Sequence, residues 1–186
     1  MAALSTFERQ ALVAQIINNM RAEGGWAGET HIQKSLYILQ EMLGVPSSYD
    51  YVLYKHGPYS FDLHDEIGQM RANMVLDIEP RSPYGPSFCL GPVGETFMRK
   101  FSELLQRHQK SIDYIVGSLA KSDVNHLERL ATSLYVALEN PDWETGRLAR
   151  EITELKPHIS LEVATAALEE VVKLKINAQQ SGLEVR

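Results

Sequence analysis

The stretch YVLYKHGPYSFDL, residues 51–63, constrains this chain most. It packs a β-prone run, a Gly-Pro pair and a helix start into a few residues. Glycine admits positive φ and proline removes a backbone donor, so the chain is expected to turn at Gly57-Pro58. Upstream, THIQKSLYILQEML over residues 30–43 sets Ile32, Leu36, Leu39 and Leu43 at helical spacing. The order is helix, short strand, aromatic-rich turn, second helix, then a hairpin-like run. Modules of that order recognise nucleic acid or protein and seldom catalyse.

The flanking elements follow from caps and periodicity. A first helix is expected over residues 7–22, opened by the capping-box spacing Ser5 to Glu8 and striped by Phe7, Ala11, Ala14 and Ile17. Gly24-Gly25 ends it. Thr30 and Gln33 repeat the capping-box spacing for the second helix, and Gly44 stops it. Residues 49–54 alternate as a short strand, and Ser60 suits the N-cap of a third helix over 61–73. Residues 75–79 and 87–90 are short β-like runs. Residues 80–86, rich in Pro, Ser and Gly, link them as a wing with Arg81 and Tyr84 at its tip. Beyond Gly91-Pro92 the pattern is helical. One long helix is expected over 93–120, roughly 40 Å at ~1.5 Å per residue. Three more follow, from about Ser122 to the Asn140-Pro141 stop, over 144–155, and from Ser160 onward. From Gln179 the chain is polar and is expected to fray. The expected fold is mainly α (α+β): a winged-helix-like domain at 1–92, a helical domain at 93–180 and a flexible tail at 181–186.

Composition narrows the function. The chain has 186 residues and a net charge of −6. Residues 1–92 hold six Lys/Arg against ten Asp/Glu, and residues 93–186 twelve against fourteen. DNA affinity rests on neutralising phosphates, so the more acidic half is a poor unaided DNA reader. No apolar run reaches the roughly 18 residues of a membrane span, and the N-terminus lacks a secretion-signal pattern. The single cysteine, Cys89, has no partner in the chain, which fits a reducing cytosol. No cofactor motif and no zinc spacing is present.

Four groups of residues invite a functional reading. Tyr54, Lys55, His56, Tyr59 and Ser60 cluster at a helix N-terminus, where free amides suit an anion. The alternative is structural: Gly-Pro shapes the turn, Ser60 caps, and the tyrosines pack on the second helix. Asp62, Asp65 and Glu66 give the third helix an acidic face against one base, Arg71. A solvated face is the simpler reading; a surface for a basic partner is the functional one. His56, His64 and Asp65 lack a metal-binding spacing. Cys89, between Phe88 and Leu90, has no visible activating base and is expected to be a buried thiol.

HIQKSLYILQ, then YDYVLYKHGPYSFDLHDEI, then LERLATSLYVAL and LKPHISLEVATAALEEVVKL, resemble the YwgA-like family of uncharacterised bacterial proteins over roughly residues 30–175. Residues 30–75 more distantly resemble the Panacea (SocA-like) antitoxin domain. Gln33, Lys34, Leu36 and Tyr37 match its first element, with Ser35 in place of a leucine. Tyr54, Gly57, Pro58 and Leu63 match its second. The resemblance implies a winged-helix-like N-terminal domain and a role in genetic conflict or regulation, Panacea domains being associated with neutralising toxins. Together with the residues, the expected function is a cytoplasmic, non-enzymatic, antitoxin-like or regulatory role through protein contacts, with a toxin as one class of partner. The surface would be the third helix and wing, with a homodimer allowed. The rival readings are a winged-helix DNA-binding regulator, whose dimer would gather Lys55, Arg71, Arg81 and Arg99-Lys100 into one basic stripe, and a small-molecule or anion sensor at residues 54–60.

Overall fold

The computed structural model describes residues 3–80 and 85–186. Arg81 and Tyr84, the expected wing tip, lie outside the described residues. The elements run α1 (Thr6–Ala22), α2 (Glu29–Glu41), β1 (Val52–Tyr54), β2 (Gly57–Tyr59), α3 (Phe61–Ala72), β3 (Leu76–Glu79), β4 (Ser87–Leu90), α4 (Gly94–Arg99), α5 (Ser102–Leu119), α6 (Val124–Glu139), α7 (Thr145–Leu155) and α8 (Leu161–Gln180). The architecture is mainly helical with two separate antiparallel hairpins, β1–β2 and β3–β4. No described helix is long and apolar enough to cross a membrane.

Local signals account for most element ends. Glu8 accepts hydrogen bonds from the Ser5 amide and hydroxyl at 2.8 and 2.7 Å. Ser60, Asp123 and Ser160 each cap their helices by accepting from the backbone amide three residues on. In β3–β4, Leu76 faces Leu90 and Glu79 faces Ser87.

Several expectations give way to packing. Helix α2 has Gly28, not Thr30, at its N-cap, with no side-chain cap bond. Gly57 and Pro58 are not the turn: they form the return strand β2, and Lys55-His56 make the two-residue connection. The expected 93–120 helix is broken at Lys100-Phe101 into α4 and α5, which lets α5 follow α1 while the Phe97 and Phe101 rings pack tilted with centroids 5.2 Å apart. Phe7 and Leu161 lie outside the apolar stripes, at 60% and 48% exposure. Cys89 is only partly buried, and burial still pushes its thiol pKa up. Gln179 remains helical. Beyond it Leu183 and Val185 pack on the core, and the Arg186 amide donates to the Met42 carbonyl at 2.9 Å.

Helix α2 is the centre of the molecule. It packs on α1, α5, α6 and β2, and His31 through Gln40 are buried without interruption. The main apolar cluster surrounds it and draws on α1, α2, α3, α5 and α6, with Val171 and Ala178 of α8. A smaller cluster joins α6, α7 and α8 through Val136, Leu148, Ala149, Ile152, Ile159, Ala164 and Leu168. A helix enclosed on every side must find partners for its polar side chains. Those partners shape the candidate site.

Candidate functional site

The polar residues of α2 reach outward and fasten three connecting segments. His31 Nε2 donates to the Ser122 carbonyl at 2.8 Å, holding the α5–α6 link. Burial lowers the His31 pKa, with that backbone bond opposing. Gln40 accepts from the Ser47 hydroxyl and the Tyr49 amide, both at 2.8 Å, and donates to the Tyr49 carbonyl at 3.0 Å. Gln33 accepts from the Ser60 amide and donates to the Ser60 carbonyl, both at 2.9 Å. Lys34 Nζ donates to the Pro58 carbonyl at 2.8 Å. Gln33 and Lys34 thus bind the hairpin that carries Gly57 and Pro58. The two sequence elements singled out above are bonded to one another.

A second lysine grips the other side of the β1–β2 turn. Lys156, just after α7, donates to the Tyr54 carbonyl and, at 2.6 Å, to the Lys55 carbonyl. Between the lysines lies Glu128 of α6, only 3% exposed. It sits 3.7 Å from Lys156, 3.2 Å from His158 and 3.4 Å from His56. Burial lowers the Lys34 pKa to about 8, against the opposing pull of Glu128. Lys156 is lowered for the same reason. Gly57 lies at φ +86°, and a Cβ there would meet Thr132 Oγ1 at 2.9 Å, so glycine is needed on both counts.

This inner network presents an outer one. Tyr54, Tyr59 and Phe61 form a three-ring cluster, with centroids 5.2–5.8 Å apart. Tyr54 and Phe61 are more than half exposed, and Val52 beside them is 48% exposed. Glu29 accepts from the Tyr59 hydroxyl at 2.8 Å and lies 2.6 Å from His64 Nδ1. Burial and then the Glu29 hydrogen bond raise the Tyr59 pKa, so its phenol stays neutral. Asp62 and Asp65 are exposed on the same end of α3.

The structure divides the residues named from sequence. Tyr54, Lys55, His56, Tyr59, Ser60, Asp62 and Asp65 lie on or beside the hairpin and the first turns of α3. Glu66 does not join the acidic face. It is 4% exposed, paired with Arg9, and accepts from the Tyr49 hydroxyl at 2.7 Å. Burial, then Glu66, raise the Tyr49 pKa. Arg71 is exposed at the far end of α3. Phe61, Glu128 and Lys156 were not singled out. Phe61 reads as an apolar helix-start residue, and a lone Glu or Lys on a helical pattern carries no sign of burial. Among the described residues no cluster of three or more His, Cys, Asp or Glu is placed to hold a metal ion.

The sequence matches no protein-family model and none of the curated proteins.

Proposed function

We propose that the chain is a non-enzymatic, antitoxin-like interaction module that binds a protein partner through the β1–β2 hairpin and the N-terminal turns of α3. One observation carries the reading: Tyr54, Tyr59 and Phe61 stand together at the surface on a backbone fastened from behind. Exposed rings on a rigid support make good anchors, because little conformational freedom is lost on docking. Asp62, Asp65 and Glu29 rim the cluster, so the partner it fits has an apolar patch bordered by Lys or Arg. The resemblance to antitoxin-type domains rests on the residues that build this clasp. The winged-helix-like arrangement belongs to the same proposal: α3 is the recognition helix and β3–β4 the wing.

The rival readings have less support. Helix α3 offers Asp62 and Asp65 where a DNA reader needs cations, and net charge is −6. An anion site at residues 54–60 has only the exposed Lys55 and His56 as its own cations, because the neighbouring Lys34 and Lys156 are committed to backbone carbonyls. The Ser60 amide is committed to Gln33.

The test is affinity capture from native lysate after nuclease treatment, comparing the wild-type chain with Tyr54→Ser/Phe61→Ser and with Asp62→Lys/Asp65→Lys. The proposal expects a stoichiometric partner whose capture falls at least about tenfold with either pair, as truncating interface anchors does. Equal recovery by all three chains would refute it.

A further inference from the structure

A second site lies where α2 and α6 end together. Tyr37, Gln40 and Glu41 of α2, Tyr135, Leu138 and Glu139 of α6, and residues 48–51 line a cleft of about 320 Å³ that is open to solvent, with Asp50 and Glu139 at the exposed rim. That is within the lower range of small-ligand pockets. Among the described residues its lining holds carboxylates and no Lys or Arg, while the Arg186 guanidinium lies beside Gly44, just past the end of α2. The C-terminal end of a helix carries a partial negative charge and favours cations. Neither α2 nor α6 has a basic residue in its last turn; each ends on a glutamate. Asp50, in the segment between α2 and β1, adds a third carboxylate to the lining. None of Glu41, Asp50 and Glu139 is in an ion pair among the described residues.

The wall between these charges is aromatic. Tyr37 and Tyr51 meet edge-on with centroids 5.0 Å apart, Tyr135 stands 6.3 Å from Tyr37, and Tyr49 is 6.4 Å from Tyr51. Tyr37 is 3% exposed. The Tyr51 hydroxyl is buried without a hydrogen-bond partner among the described residues, which is costly unless a ligand supplies one. Burial, then the charge of Glu41, keeps the Tyr37 and Tyr51 phenols protonated. Neutral phenols offer ring faces and oxygen lone pairs to a cation. The protein already uses one such contact, Arg9 lying 4.8 Å from the Tyr49 ring centre. The acidic groups are not gathered as they would be around a metal ion. They suit a cation whose charge is spread along a carbon chain.

We propose that this cavity binds an organic alkylammonium ion, its carbon chain against Tyr37, Tyr51 and Tyr135 and its ammonium, or each ammonium of a polyamine, toward Glu41, Asp50 or Glu139. The ligand is either a free polyamine or the lysine side chain of another molecule; the two share this chemistry. The site is separate from the hairpin patch and does not depend on it.

Isothermal titration at near-physiological salt tests it, with spermidine for the free polyamine, Nα-acetyl-lysine amide for a side chain and magnesium as the charge control. The expected result is saturable binding of one or both amines. Glu41→Gln and Glu139→Gln each weaken it at least about threefold, and the pair together about tenfold. Both variants keep or raise the melting temperature, because each removes a carboxylate from a helix C-terminus. Spermidine alone binding identifies a polyamine site, and the lysine amide binding as well identifies a side-chain pocket. Either supports the proposal. No saturable binding of either amine up to about 5 mM overturns it. So does magnesium binding of equal strength, or amine affinity unchanged in the double variant.

Discussion

Replacing Gln33 tests the clasp between α2 and the hairpin most directly. Its amide is 0% exposed and makes two hydrogen bonds of 2.9 Å, accepting from the Ser60 amide and donating to the Ser60 carbonyl. Ser60 is itself 0% exposed. Removing the glutamine amide leaves two buried backbone groups unpaired, each costing about 1–3 kcal/mol. Gln33→Leu keeps most of the side-chain volume and isolates that polar loss, for which about 3 kcal/mol is expected. Gln33→Ala adds a cavity and is expected to cost more. For a domain of this size about 3 kcal/mol corresponds to a fall of roughly 6–12 °C in Tm. Urea unfolding followed by circular dichroism gives the free energy, and a thermal scan gives the shift. If Gln33→Leu stays within about 0.5 kcal/mol of wild type, the two bonds do not hold the hairpin and the reasoning fails.

Three further outcomes follow from the same network. Glu128→Ala leaves Lys34 and Lys156 buried without their carboxylate and is expected to cost about 3–5 kcal/mol in urea unfolding. Lys34 releases its proton near pH 8 when folded but near 10.5 when unfolded. Between those values the unfolded chain binds the extra proton, so stability rises with pH. The gain between pH 8 and 9.5 is about 1–2 kcal/mol, before tyrosine ionisation in the unfolded chain reverses the trend. Lys34→Met is expected to flatten that slope in a pH series of unfolding curves. Gly57→Ala forces a side chain onto φ +86° and against Thr132, and is expected to cost about 2 kcal/mol or more by the same assay.

Much of the architecture was legible because its causes are local. The Ser5, Ser60 and Ser160 caps, the β3–β4 hairpin and most helix spans follow from side chains within a few residues of the backbone they act on, whereas the sequence reads the β1–β2 hairpin as a strand and a turn. The break at Lys100-Phe101 was not legible, since no glycine or proline marks it. It answers to the path of α5 along α1. The candidate site was half legible: that residues 54–65 lie together at the β1–β2 hairpin and the start of α3 follows from their closeness in sequence, but which of the neighbouring acids goes inside does not. Glu66 reads as a surface acid by its neighbours Asp62 and Asp65, yet Arg9, on a helix at the start of the chain, takes it inside.

The sequence by itself determined that most of the helices and the β3–β4 hairpin exist and roughly where they lie, since caps and periodicity are short-range; the start of α2, the break between α4 and α5 and the turn at Lys55-His56 were not among them. Only the tertiary structure decided which polar groups go inside. A charge can be buried where partners converge to offset its desolvation, and those partners are distant in sequence. Lys34 reaches a carbonyl 24 residues away, and Lys156 reaches one 102 residues away. The same convergence fastens the hairpin from within and leaves Tyr54 and Phe61 facing solvent. It also brings two helix C-termini together around a tyrosine-walled acidic cavity. Nothing in the spacing of Glu41 and Glu139 along the chain announces that meeting.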